Sequence, residues 1–142
     1  MICTFFGHRD VSRETEEPLT KIIIDLIENR GVKKFYVGNE GGFDRMVRSK
    51  LREIKKKYPQ IEYAVVLAYV PTRRDEHEDY SDTLFPSDLD GVPPRARIVA
   101  RNDWMINHSK FVVTHVYRTA SGAAESKAKA EKKGKIVINI LP

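Results

Sequence analysis

One cysteine, Cys3, is all that 142 residues contain, so no internal disulfide can form and no multi-cysteine metal site can be built. No apolar run approaches the ~20 residues of a membrane span, and no basic leader with a cleavage site precedes the apolar opening Ile2 to Phe6. A soluble cytoplasmic protein in a reducing setting, without membrane contact, is therefore expected. His77, His108 and His115 have no partners at metal-ligand spacing, and the cluster Asp75-Glu76-His77-Glu78-Asp79 matches no zinc pattern, so no metal is expected. Internal repeats, low-complexity tracts and aromatic ladders interleaved with basic residues are also missing, and the last of these speaks against a nucleic-acid partner.

What is present suits one globular domain over residues 1–142: 41% hydrophobic and 32% charged residues argue against disorder. The formal charge of +5 is compatible with an anionic partner. Its basic stretches, Lys50 to Lys57 and Lys127 to Lys135, read equally as solvated helix faces.

Short apolar runs alternate with longer helical patterns, the signature of βα units. The spacing predicts an α/β, Rossmann-like, doubly wound and mainly parallel five-stranded sheet flanked by helices. The strands fall at Ile2 to Phe6, Lys34 to Val37, Ile61 to Tyr69, Phe111 to Val116 and Lys135 to Ile140. Helices are expected over Glu16 to Asn29, Phe43 to Lys57, Arg95 to His108 and Gly122 to Lys133, with Gly31, Pro59 and Gly134 as stops. Residues 71–94 carry charges, Asp-Gly and Pro-Pro but no period, and are expected to form a long loop.

Ligands of open parallel sheets bind beyond the carboxyl ends of the strands, and the unusual residues of this chain lie there. Gly7-His8-Arg9 leaves the first strand, Gly38-Asn39-Glu40-Gly41-Gly42-Phe43-Asp44 the second, Arg73 follows the third, and Thr119-Ala120-Ser121-Gly122-Ala123 follows the fourth. Glycines opening a helix let an anion approach unpaired N–H groups, so Gly41, Gly42, Ser121, Gly122 and Ala123 are candidate phosphate contacts, with Thr119 adding a hydroxyl. They also serve as simple tight turns. Arg9, Arg73 and Arg101 are candidate cations for the same ligand, and Arg101 with Asn102 forms a polar pair inside an otherwise apolar helix face. His8 suits phosphate donation, acid–base work or capping of local backbone. Glu40, Asp44 and Glu125 are the carboxylates available for catalysis, although Asp44 and Glu125 also complement helix dipoles.

Four segments resemble the SLOG superfamily, particularly its small stand-alone YpsA-like members. They are Phe6-Gly7-His8-Arg9, Gly38 to Asp44 with its Gly-Phe-Asp ending, Arg101-Asn102-Asp103-Trp104-Met105, and Gly122-Ala123-Ala124 with Gly134 to Asn139. The resemblance implies a Rossmann-like sheet binding nucleotides or nucleotide-derived signals, NAD-related molecules included, with no required cofactor. More distant relatives are Lonely Guy-type phosphoribohydrolases, which cleave a nucleotide N-glycosidic bond, and DprA-like proteins, which bind single-stranded DNA. The enzymes' Gly-Gly-x-Gly-Thr-x-x-Glu loop is only partly matched by Ser121-Gly122-Ala123-Ala124-Glu125. Three functions follow: binding of a phosphate-bearing nucleotide signal, including cyclic or NAD-related ones; N-glycosidic hydrolysis; and single-stranded nucleic-acid binding with Tyr69 and Tyr80 as platforms. Related folds often pair, so a homodimer is also expected.

Overall fold

Side chains alternate across a strand, and the sheet uses both faces. Along Ile2–Gly7 (β1), Cys3 and Phe5 enter one buried cluster while Phe6 enters a second on the opposite face. The same split recurs in Lys34–Val37 (β2), Glu62–Val66 (β3) and Phe111–His115 (β5), where Phe35, Val65 and Val113 face one way and Tyr36, Val66 and Val112 the other. Helices Glu16–Arg30 (α1) and Gly41–Lys57 (α2) cover the first face through Leu19, Ile23, Leu26, Val47 and Leu51. Arg97–Asn107 (α3) and Gly122–Lys132 (α4) cover the second through Met105, Ile106 and Ala130. The computed structural model describes residues 1–70 and 82–141.

Two more strands, Thr83–Leu84 (β4) and Ile136–Asn139 (β6), complete a sheet ordered β4-β3-β2-β1-β5-β6 in which every pairing is parallel. Six strands thus replace the five expected. The extra one is β4, two residues long inside the charged stretch read as loop; a strand so short shows no alternation. It is held at the edge by Val65 N–H to Asp82 C=O (2.8 Å) and Leu67 N–H to Leu84 C=O (2.8 Å). Strand β3 ends at Val66 instead of Tyr69, whose hydroxyl leaves the ladder to donate to Pro94 C=O (2.8 Å). Helix α2 starts at Gly41, two residues before the expected Phe43, and α3 starts after a single turn of 3₁₀ helix at Pro94–Ala96.

The chain steps outward from β1 to β4, then returns to the far side of β1 with β5 and β6. Successive connections therefore diverge on either side of β1, and the crevice above its carboxyl end is the topological switch point. Among the described residues, no helix is long and apolar enough to cross a membrane.

At this end of β1 the backbone meets α2 closely. A Cβ on Gly7 would lie 2.3 Å from two ring carbons of Phe43, which is itself fully buried. Gly7→Ala should lower the unfolding free energy by about 1–3 kcal/mol. Gly122→Ala, whose added Cβ meets nothing within 4 Å, should change it by less than about 0.5 kcal/mol. Urea denaturation of both variants is the check.

Candidate functional site

The turn leaving β1 is bonded to both of its neighbours. His8 is 3% exposed; its N–H donates to His115 C=O (3.4 Å), and its C=O accepts from Phe43 N–H (3.3 Å). Its ring Nε2 accepts from the Tyr117 N–H (3.0 Å) and the Arg118 N–H (3.2 Å). Two donors on one nitrogen require that nitrogen to be unprotonated, so the imidazole is neutral with its proton on Nδ1. Burial holds the His8 pKa below its ordinary value, and the Arg118 and His115 charges reinforce this against Asp10. His8 is thus a strut for the loop after β5, the capping role among those the sequence allows. Tyr117 adds an edge-on ring contact to His8 (4.3 Å between centroids) and a hydroxyl bond to Asp10 C=O (2.9 Å). The same loop is fixed from β6, where Asn139 Oδ1 accepts from the Val116 N–H (2.9 Å).

The two glycine loops differ. At the start of α2 the Gly42 N–H donates to Arg9 C=O (2.9 Å), alongside the Phe43–His8 bond. A Cβ on Gly42 would lie 2.3 Å from that Arg9 oxygen, and Gly41 has φ +84°. These glycines let helix and turn touch, and the amides of Gly42 and Phe43 are committed to protein carbonyls. At the start of α4, Ser121 Oγ caps the Ala124 N–H (3.1 Å). The Gly122 and Ala123 N–H groups find no acceptor among the described residues, as expected for the first positions of a helix. They border an open cleft of about 440 Å³ at the switch point.

Of the expected site residues, Gly7, His8, Arg9, Glu40, Asp44, Arg101, Ser121, Gly122 and Ala123 border this cleft. Gly38, Asn39, Gly41, Gly42, Thr119 and Glu125 do not, and Arg73 and Tyr80 lie outside the described residues. Arg9 extends its side chain into solvent (78% exposed) and sits 3.9 Å from Glu40. Arg118, missed in the sequence, flanks the cleft beside Asp10 at 3.9 Å and lies 5.2 Å over the Tyr117 ring. A cation at a strand's carboxyl end in the same loop as Thr119 and Ser121 was the available signal.

The back wall comes from α3. Arg101 is 2% exposed, and its guanidinium donates to Val66 C=O (3.0 Å), Asn39 Oδ1 (3.1 Å) and Asn102 Oδ1 (2.9 Å). Asn39 therefore acts behind the cleft through Arg101. Asp44, 8% exposed, accepts the Glu40 N–H on Oδ2 (3.0 Å). Burial pushes the Asp44 carboxyl up to about 6, against the pull of the Glu40 amide and the Arg101 and Arg48 charges. Burial likewise lowers the Arg101 pKa against Asp44 and Glu40, yet a guanidinium stays charged throughout the range in which proteins fold. Gly38 admits this arrangement, since a Cβ there would lie 2.8 Å from Asp44 Oδ2 and 3.3 Å from the Arg101 guanidinium.

Together these features define a Rossmann-like domain with an open cleft, bordered by both cationic and acidic side chains, at its switch point. No family model matches the chain, and no curated protein matches it. Among solved structures the chain is similar to DNA processing protein A (DprA) from Streptococcus pneumoniae, with a TM-score of 0.71 and 16% identity over 99% of this chain and 50% of that one. It is also similar to DNA processing protein A from Helicobacter pylori, whose structure is described for its single-stranded DNA binding mode; there the TM-score is 0.62 and the identity 15%, over 96% of this chain and 63% of that one. The likeness is one of fold, and this chain spans half to just under two thirds of those chains. It agrees with the resemblance to the SLOG superfamily at the level of the fold.

Two pH effects of opposite sign follow. Folded His8 resists the proton that the unfolded chain takes near pH 6.5, so its contribution to stability is lost as pH falls below about 6.5. His8→Ala should remove that dependence and, by stranding two amides, cost about 2–4 kcal/mol at neutral pH. Folded Asp44 keeps its proton to about 6 whereas the unfolded chain releases it near 3.8, so its ionisation lowers stability as pH rises through that window. The unfolding free energy of Asp44→Asn minus that of wild type should climb by about 1–3 kcal/mol between about pH 4 and pH 7. Denaturant titrations across pH measure both.

Proposed function

We propose that the chain binds a phosphate-bearing, nucleotide-derived small molecule in the switch-point cleft. The observation that carries this reading is the open amino end of α4, with the Gly122 and Ala123 N–H groups without acceptors among the described residues, on a cleft that the exposed cations Arg118 and Arg9 also border. Helix amino ends attract anions through these amides and the dipole, and arginine adds charge-assisted bonds to phosphate oxygens. The cleft volume falls in the range of small-ligand sites. NAD-related molecules and cyclic nucleotides are the ligand classes to try first, in keeping with the proposed place of the chain among the stand-alone YpsA-like members. Hydrolysis of an N-glycosidic bond in this cleft would fall to Glu40 or Asp44, since Glu125 is exposed on α4 and does not border it.

Single-stranded DNA is the second reading, favoured by the shared fold with the Helicobacter pylori protein and its described DNA binding mode. Among the described residues, Tyr69 and Tyr117 are the exposed aromatics at this edge of the sheet, each about half exposed. Strand binding would use the same phosphate cradle, with affinity falling steeply with salt.

Calorimetry with AMP, NAD, ADP-ribose, a cyclic mononucleotide and a dT oligomer separates the readings, and chromatography of the same samples reports any released base. A mononucleotide-class ligand should bind and be recovered intact. Arg118→Ala should weaken it about tenfold, in line with loss of one charge-assisted contact. Tighter binding of the oligomer than of any mononucleotide, with a steep salt dependence, would put the second reading in its place.

A further inference from the structure

The edge of the sheet opposite the cleft, where the strands begin, gathers the positive charge of the chain. Four stretches cross it, 28–34, 55–62, 107–110 and 131–135, each carrying the chain from the end of a helix to the start of the next strand. They hold ten lysines and arginines against three glutamates, an excess of seven, whereas the whole chain has an excess of five. The rest of the molecule is therefore slightly acidic, and its basicity belongs to this one edge.

Helix dipoles account for part of this charge. Cations in the last turn of a helix complement its dipole, which covers Arg30, Lys55, Lys56, Lys57 and Lys132. Lys33, Lys34, Lys110, Lys133 and Lys135 lie beyond the helices. Ion pairing does not neutralise the edge either, since among the described residues none of the ten cations forms a salt bridge. Two of the three glutamates are already engaged, Glu28 by the Tyr58 hydroxyl and Glu131 by Lys127 (3.1 Å). Like charges crowded without counter-charges repel one another, and an anionic partner relieves that cost.

Shape and composition narrow the partner. The four stretches stand at β2, β3, β5 and β6, which with β1 between them span four strand spacings, about 19 Å. The cations thus form a row, which dips between α3 and α4 into a shallow groove bordered by Lys110, Lys133 and Lys135. A nucleic-acid duplex carries one phosphate charge per ~1.7 Å of its axis, so a stretch of this length presents about eleven. Nine of the ten cations are lysines, point charges that hold phosphate without the planar fork by which arginine reads bases. Of the large apolar side chains exposed among the described residues, only Met1 lies at this edge, and Tyr58 is partly buried and bonded to Glu28. Aromatic platforms for unpaired bases and apolar anchors for a membrane surface are thus both missing there among the described residues.

We infer that the amino edge of the sheet is a docking surface for the phosphate backbone of double-stranded nucleic acid, held without regard to base sequence and independently of what occupies the cleft. Paired bases need no stacking partner from the protein, so a row of cations is sufficient to hold a duplex by its phosphates.

The test titrates the protein by fluorescence anisotropy against a labelled duplex of about 20 base pairs between about 50 and 200 mM salt. Wild-type affinity should fall about thousandfold across that range, as neutralisation of about six phosphates requires. Lys33, Lys56 and Lys132 are exposed and stand in three of the four stretches. Combining Lys33→Gln, Lys56→Gln and Lys132→Gln should reduce the log–log salt slope by about three and weaken binding at low salt at least about tenfold. The corresponding triple arginine variant should bind like wild type, and Arg118→Ala in the cleft should leave duplex affinity within about twofold. An unchanged slope in the glutamine variant, or no duplex binding at low salt, overturns the assignment. Tighter binding of a dT oligomer than of the duplex, or of phosphatidylserine vesicles in its place, overturns it as well. None of these outcomes bears on the mononucleotide reading of the cleft, which Arg118→Ala tests separately.

Discussion

A neutral imidazole at the centre of the sheet's carboxyl edge holds this site together. Three elements meet at His8: its own β1, the start of α2 through its carbonyl, and the loop after β5 through two amides on one ring nitrogen. The imidazole offers a buried, uncharged acceptor at that reach. A carboxylate would bring a charge into the crevice, and an amide would place a donor beside the acceptor. Arg118 supplies one of the two bonded amides and the open end of α4 follows shortly after in the chain, so these cleft-bordering elements take their position from His8.

The second constraint is electrostatic. Arg101 is buried almost completely, yet its guanidinium is matched by a backbone carbonyl and two side-chain oxygens, as a buried charge requires. Asp44 lies near it across Gly38 without forming an ion pair among the described residues, and desolvation outweighs the attraction enough to hold its proton to about pH 6. The charge of Arg101 is therefore fixed in the back wall, while Glu40 and Asp44 as well as Arg9 and Arg118 border the cleft.

Much of the fold was legible before any coordinates. Mainly apolar runs such as Phe111 to Val116, apolar at successive positions because helices cover both faces, announced parallel strands, and glycine stops marked helix ends to within about two residues. The edge strand β4 was not legible, because two residues in a charged stretch acquire strand character only from the hydrogen bonds that β3 supplies. The switch-point location of the site was legible, since it follows from topology. Which glycine loop has free amides was not: Gly41-Gly42 and Ser121-Gly122 look alike in sequence, and only the approach of the Arg9 and His8 carbonyls occupies the first pair. The same holds for Arg118, an ordinary surface cation until His8 places it.

The sequence by itself determined the class of the domain, the faces of its helices and the set of polar residues gathered at the strand ends, because periodicity and turn chemistry are local properties. Only the tertiary structure decided which of those polar groups remain unpaired. Hydrogen-bond capacity is used up by partners far away in the chain, as when His8 takes amides more than a hundred residues distant, and what is left over at the switch point is the material a ligand can use.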